Sequence, residues 1–540
     1  MRTYLTRSLG LLALAASLGT LSSSCSKDLD QKPDYLANDP DQIYSDPAKV
    51  AQLHARLYAT FGVSGQGGAG GTSDISGIDG GFSNYIRMYW QLQEITTDEA
   101  ILGWNDGNLP AINTNTWNAD NEFVRATFQR IYFQITLCNE FIRQTSDASL
   151  EKHGLSGTNA ATIRTYRAEA RLLRALSYWH AIDLFGGGPF ITENDALVVT
   201  NIPPYKKASE MFTYVESELK DLDATNVLID PRTVYGRADK AVCWTLLAKL
   251  YLNAKVYTGT DRPGDALTYA DKVLASNKYS LATNYANLFL ADNDRTSSSE
   301  AIFPITSDGI RTQSYGAMTY LVHAPVGRAV TPASAGINGG WGGLRAKQNL
   351  VNLFPGGATG SDARQALFFT KAQNPNVDTL DVFSSGVLVR KFRNVTSTGI
   401  VGSDPSGNFP DTDFFMFRLA DVKLIYAEAL LRGATGGASG TALQQVNDVR
   451  ARSGATALAS VGLNDILDER SRELYWEGHR RTDLIRFGKY TTGYNWPFKG
   501  YKGPGDTNKG HDIEATRVLF PFPNTERGLN NNLPQNPGYN

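Results

Sequence analysis

Two adjacent carboxylates, Asp98 and Glu99, lie just before a tryptophan, Trp104, in the stretch TTDEAILGWNDGNLPAINTNTW (96–117). Paired carboxyls hydrolyse glycosides when they face each other across a bond, about 5–10 Å apart. Neighbouring residues cannot do so, because on a strand they point to opposite faces and on a helix they diverge by about 100°. The pair is therefore expected to tie its loop to a frame. Trp104 itself stands among Asn105, Asp106, Gly107 and Asn108, in a segment too polar and too broken by Gly and Pro to bury an indole on a periodic stripe. Tyr315 (TQSYGAMTY) and Trp341 (INGGWGGL) occupy similar glycine-flanked settings. Flat aromatic faces stack on the C–H face of a pyranose, while sugar hydroxyls need groups that both donate and accept hydrogen bonds. The three rings are thus candidates for a platform that takes a neutral sugar, provided they converge on one solvent-facing shelf.

Other chemistry is poorly represented. There is no P-loop, GxSxG or HExxH signature. Gly65–Gly70 matches GxGxxG, but it follows a helical pattern and leads into TSDISG, without the strand before and helix after that a dinucleotide site needs. It reads as a loop. Asp292-Asn293-Asp294 begins like a calcium loop and lacks the Gly and Glu that complete one, so a turn with at most an incidental Ca2+ is expected. His479 and Asp483 stand four apart, the spacing of a metal pair or an acid/base couple on a helix. Glu477 before Arg480 and Arg481 instead predicts an ion-pair network along one helix. Cys138 and Cys243 fall inside apolar helical patterns and read as buried small hydrophobes, with no CxxC to suggest zinc or a disulfide framework. No catalytic residue, metal or cofactor is assigned.

The chain has 540 residues and a formal charge of −2, with no block of like charge. Nucleic acid and anionic bilayers are thereby disfavoured as partners. At the N-terminus, Arg2 and Arg7 precede a short apolar run, Leu9–Leu21, then small residues and Cys25. That run is too short for a permanent membrane span and reads as a signal peptide over 1–24. LSSSC is similar to a bacterial lipoprotein processing site, although Ser22 takes the position usually held by an aliphatic residue. Cys25 is accordingly the expected lipid anchor, followed by a tether over 25–45, and Ser26 fits passage to the outer membrane.

Helical periodicity dominates the remainder, 46–540, taken as one domain. In EFVRATFQRIYFQITLCNEFI, apolar residues recur at three- and four-residue steps. TIRTYRAEARLLRALSYWHAIDLF ends at Gly186-Gly187-Gly188-Pro189, a strong stop. Further helices are expected in KKASEMFTYVESELKDL, ADKAVCWTLLAKLYLNAKVY, GDALTYADKVLAS and FRLADVKLIYAEALL, and then in TALQQVNDVRARSG with Thr441 and Gln444 at capping-box spacing. Small residues such as Ala238, Ala241, Ala248 and Ala254 give a degenerate tetratricopeptide pattern over 46–299. Between 300 and 412 short β-like runs (AIFPI, GVLVRKF) alternate with Gly-rich loops, and 413–540 returns to helices before an extended Pro/Asn-rich tail.

Several segments together resemble the SusD/RagB family: EITTDEA, AEARLLRALSYWHAIDLFGGGPF, GRADKAVCWTLLAKLYLNAKVYTG, FRLADVKLIYAEALL, ERSRELYWEGHRRTDLIRFG and NNLPQNPGY. SLATNYANLFLADND, PITSDGIRTQSYGAMTYLV and GGWGG bring it nearest to the family's starch-binding founder. The resemblance implies a mainly α-helical fold with four tetratricopeptide-like helix pairs. It also implies a lipid-anchored, cell-surface, non-catalytic protein of the outer membrane, one that holds starch or maltooligosaccharide (α-1,4-glucan) for a SusC-like TonB-dependent β-barrel transporter. By the same resemblance Trp104, Tyr315 and Trp341 form an aromatic arc, Arg87 bonds sugar hydroxyls, and Asn108 or Asn105 supplies an amide. A receptor of this fold for another glycan or a peptide is the alternative, and a glycoside hydrolase a more distant one.

Overall fold

The computed structural model describes residues 40–70, 72–195, 201–354, 360–369 and 373–539, with only the backbone of Phe369. Cys25, the signal segment and the first part of the tether lie outside the described residues. The helices that frame the molecule are α1 (Pro47–Gly62), α2 (Tyr85–Trp90), α3 (Glu122–Gln144), α4 (Gly157–Phe185), α5 (Ala208–Thr225), α6 (Lys240–Leu252), α7 (Pro263–Ala275), α8 (Ala317–His323), α9 (Leu419–Leu431), α10 (Ala442–Arg452), α11 (Leu463–Leu474) and α12 (Arg480–Arg486). They pack in sequence order, α3 on α4, α4 on α5, α5 on α6, α6 on α7, α7 on α9, α9 on α10 and α10 on α11. This is the succession of helix pairs expected from the tetratricopeptide-like spacing.

Local chemistry explains the boundaries. Asn121 caps α3 through its side-chain oxygen, which accepts from Phe123 and Val124 N–H. Asp239 caps α6 in the same way. α4 stops where Gly186 takes φ 70°, a left-handed conformation that glycine adopts without a Cβ penalty. Thr441 Oγ1 accepts from Gln444 N–H at the start of α10, as its spacing predicts. Cys138 and Cys243 are fully buried in α3 and α6, and burial pushes the Cys138 thiol up to about 12.

The strands are few and short: β1 (Ala100–Leu102), β2 (Ala301–Ile305), β3 (Leu344–Ala346) and β4 (Phe414–Arg418) make two of the two-stranded ladders, β1 with β3 and β2 with β4. Between them, much of 300–412 is loop, tied to the helices by buried ions. Arg418 bonds Glu300, Glu473 and Glu477 at 2.6–2.8 Å, while Arg364 bonds Glu469 and Glu473 at 2.7 and 3.0 Å. Burial would raise the Glu473 carboxyl, but Arg452, Arg418 and Arg364 together hold it far below the usual carboxylate range.

One sequence expectation fails. Glu477 does not pair with Arg480 or Arg481 along a helix. The helix ends at Leu474, Trp476 takes φ 63° and Gly478 φ 82°, and a new helix starts at Arg480. The turn sends Glu477 to Lys391 and Arg418, and sends Arg480 to Asp98 through two 2.7 Å bonds. His479 and Asp483 are buried within this network, Asp483 on Arg470 and Arg486 and His479 beside Lys249. Their role is structural, as the sequence suggests, but by long-range pairing.

Candidate functional site

Trp104 and Trp341 are far apart in the chain, and the β1–β3 ladder brings them together. Its antiparallel register pairs Ala100 with Ala346 and Leu102 with Leu344. Continued two residues, that register sets Trp104 opposite Gly342, beside Trp341, and the backbone bond Gly103 N–H to Gly343 O (3.0 Å) carries it one step past the strand. The glycines of INGGWGGL allow the close approach that follows. A Cβ on Gly343 would lie 2.2 Å from Trp104 Nε1, and one on Gly340 would lie 2.2 Å from the Val326 carbonyl. Both indoles remain half-buried. Their centroids are 6.2 Å apart with the planes at 49°, so the pair presents a bent surface and not a flat one.

Tyr315 comes from the turn before α8 and is 38% exposed. Its N–H donates to Ala69 O, and its ring packs on Phe409 at 5.4 Å. Together with Gly70, Asp79, Gly81, Phe82, Arg87 and Asp106, the three rings line a single open cleft of about 560 Å³. That volume falls in the range of about 300–1,000 Å³ typical of small-molecule clefts. The convergence on which the sugar platform depended is therefore present in the fold. The GxGxxG segment is a loop, and its last glycine forms part of the cleft wall.

Arg87 projects from α2 into the cleft floor. Its guanidinium lies 4.0 Å from the Phe82 ring centroid, 4.3 Å from Tyr320 and 5.7 Å from Trp104, and Nη1 donates to Gly81 O at 2.8 Å. Burial lowers its pKa to about 10, which still leaves it charged at neutral pH. Its Nε–H has no partner among the described residues. An arginine held by aromatic faces keeps its orientation, which favours directional hydrogen bonding.

The two asparagines expected to offer an amide lie off the cleft lining. Asn108 is committed to the start of α3: its Oδ1 accepts from Glu122 N–H (3.1 Å), its Nδ2 donates to Asp120 O (3.4 Å), and its backbone carbonyl accepts from Asn121. Asn105 is exposed, and neither residue lines the cleft. The polar groups that do line it beside Trp104 and Arg87 are Asp106 and Asp79, which the sequence did not single out as ligand-facing. Phe82 was also missed, since SGIDGGFSN carries no periodicity to separate it from an ordinary loop residue.

Asp98 and Glu99 sit behind the cleft and are fully buried. Asp98 takes the Arg480 fork and the Tyr494 hydroxyl, and Glu99 accepts from Ser471 Oγ (2.6 Å). Burial raises the Glu99 carboxyl to about 7, against the pull of Arg480, and its neighbour Glu94 is raised well above the usual range. Neither Asp98 nor Glu99 reaches the cleft, so they anchor the loop to the frame as their spacing predicts. Asp292 accepts from Ser397 N–H and Oγ (2.9 and 2.7 Å), and no group of three or more His, Cys, Asp or Glu side chains suited to a metal occurs among the described residues. Among the same residues no helix is long and apolar enough to cross a membrane.

Comparison with known proteins agrees with this architecture. The SusD family model matches residues 363–539. The starch-binding protein SusD of Bacteroides thetaiotaomicron is 33% identical across the full length of both chains. A SusD-like protein of Bacteroides ovatus is 24% identical over 78% of this chain and 82% of its own. Among solved structures, surface glycan-binding protein A from Bacteroides fluxus superposes with a TM-score of 0.69 at 18% identity, covering 91% of this chain and 99% of that one. A laminarin-binding SusD-like protein gives 0.68 at 21% identity, again over 91% and 99%. The length and level of the first of these similarities, on a fold shared with the solved structures, establish that the chain belongs to the SusD family.

Proposed function

We propose that this protein is a non-catalytic glycan-binding protein of the cell surface whose ligand is an α-1,4-glucan such as starch or maltooligosaccharide. The observation that carries the reading is the bent aromatic surface: Trp104 and Trp341 at 49°, with Tyr315 lining the same cleft. A helical glucan changes direction from one sugar to the next and presents successive faces to tilted rings, whereas a flat β-1,4 ribbon suits coplanar ones. Arg87 and Asp106 offer a donor and an acceptor to sugar hydroxyls beside the stacking faces. The relative at 33% identity is named as starch-binding, which supports the same ligand.

Hydrolysis is not part of the reading. The cleft lining holds two carboxylates, Asp79 and Asp106, both exposed, and no buried carboxylate. Cys25 serves as the lipid anchor to the outer membrane, and bound oligosaccharide passes to a SusC-like TonB-dependent transporter. Gel-retardation and calorimetry against a panel of amylopectin, laminarin, cellulose derivatives and pullulan test the ligand class. Binding to the α-glucans supports it. Binding to laminarin alone would favour the second reading, a β-1,3-glucan receptor, which a laminarin-binding relative of the same fold makes specific.

A further inference from the structure

One buried histidine joins the two sides of the cleft. His323, the last residue of α8, stacks beneath Trp341 with centroids 4.9 Å apart and planes at 28°. Its backbone carbonyl accepts from Trp341 N–H at 3.0 Å. One ring nitrogen, Nδ1, lies 2.6 Å from Gly339 O, in the Trp341 loop. The other, Nε2, lies 2.8 Å from Asn408 O, in the loop that carries Phe409 and thereby backs Tyr315. Asn338 Nδ2 bridges the same two loops by donating to Asn408 Oδ1 and Ser406 O.

Both imidazole nitrogens therefore face carbonyl oxygens, which only accept. A neutral imidazole has one N–H and one lone pair, so it satisfies one carbonyl and repels the other; the imidazolium satisfies both. We propose that His323 is a positioning residue which, when doubly protonated, clamps the Trp341 and Tyr315–Phe409 arms together, so that glycan affinity rises as pH falls. The proposal rests on the glycan reading above and adds a regulation of that site.

The surroundings make the histidine the titrating group. α8 carries one other ionisable side chain, Tyr320, and the loop 338–344 carries none. The α2 helix packed on α8 brings the Arg87 guanidinium, 4.3 Å from the Tyr320 ring and charged at neutral pH and below. In the loop 404–409 the Asp404 carboxylate is taken up by Ser406, Asn408 and Phe409. Burial holds the His323 pKa below its ordinary value near 6.5, while the Asn408 and Gly339 carbonyls pull it back up. At neutral pH the ring is then mostly neutral and one carbonyl contact is lost, which loosens one arm. A ligand that touches both arms binds the clamped form better, and by linkage its binding takes up protons.

The first test needs no glycan. An imidazolium stacked on an indole quenches it, so tryptophan fluorescence of the wild type should drop on acidification from about pH 8 to about pH 4.5, and His323→Phe should lack that step. The second is calorimetry with maltoheptaose. Wild-type affinity should rise roughly tenfold over the same range, with proton uptake seen as a buffer-dependent heat. His323→Phe and His323→Gln should bind at the weak, high-pH level throughout. If His323→Phe does not fold, His323→Gln and the wild-type profile decide. A wild type that binds with flat affinity across pH overturns the clamp and leaves the glycan reading intact. A wild type that binds no glycan at any pH overturns the glycan reading, and the affinity link falls with it.

Discussion

Gly343→Ala is the sharpest perturbation the cleft allows, because it changes no group that would touch a ligand. The new Cβ would sit 2.2, 2.5 and 2.9 Å from Trp104 Nε1, Cε2 and Cδ1. Carbon atoms rest about 3.5–4.0 Å apart, so one partner must move by roughly 1–1.5 Å. The backbone at 343 is fixed on both sides: its N–H donates to Ala324 O at 2.9 Å, and its carbonyl accepts from Gly103 N–H and Arg345 Nη1 at 3.0 Å. The indole, half-buried and held edge-on against Tyr320 at 5.9 Å, gives way. Tilting it removes about 1–1.5 kcal/mol of stacking, so the Kd for maltoheptaose should weaken about tenfold. Overpacking costs about 1–3 kcal/mol when nothing can yield, and less here because a free ring edge can, so the thermal midpoint should fall by a few degrees at most. Isothermal titration and scanning calorimetry read both quantities. In a Trp104→Ala background the Gly343→Ala change should have no further effect on binding. Wild-type affinity in the single variant, or an additive loss in the double, would refute the stacking geometry.

Two further outcomes follow from the buried groups around the site. Asn108→Ala should lower stability by about 1 kcal/mol through the lost bond to Glu122 N–H, measured by urea unfolding, and leave glycan affinity unchanged; weakened binding without destabilisation would restore the asparagine as a ligand contact. Glu94 and Glu99 have carboxyls raised by burial, Glu99 to about 7, so the native state binds protons that the unfolded chain has released above its ordinary value of 4.5. Stability should therefore decline as pH rises from about 4.5 to 7, and Glu94→Gln, whose carbonyl can still accept from Gly478 N–H, should flatten that slope in thermal melts; an unchanged slope would mean that the pair is ionised in the fold.

The helical frame was legible because its signals are local. Apolar steps in α3, the Gly186 stop after α4 and the Thr441 cap are each set by residues a few positions apart. The three rings could be picked out because glycine and amide neighbours leave no stripe to bury them. Their meeting was not legible from spacing, since it depends on β1 finding β3 across the chain and on a glycine placed under an indole. The break at Trp476 was hidden for a related reason. Its positive φ is held by buried contacts, Trp90 Nε1–H to Trp476 O at 2.8 Å among them, and Gly478 alone hinted at it. His323 carries no signal in the sequence, since AMTYLVH lies in the stretch that reads as short strands and loops and folds as a helix, and only the carbonyls facing its ring from two distant loops give it a role.

Titration of maltoheptaose into the wild type and into Trp104→Ala/Trp341→Ala tests the central claim most directly. The two rings are expected to supply most of the affinity, so the double variant should lose on the order of a hundredfold or bind undetectably, while keeping its thermal midpoint within a few degrees. Undiminished binding by a folded double variant would contradict the account, since a glycan would then be held somewhere other than this cleft.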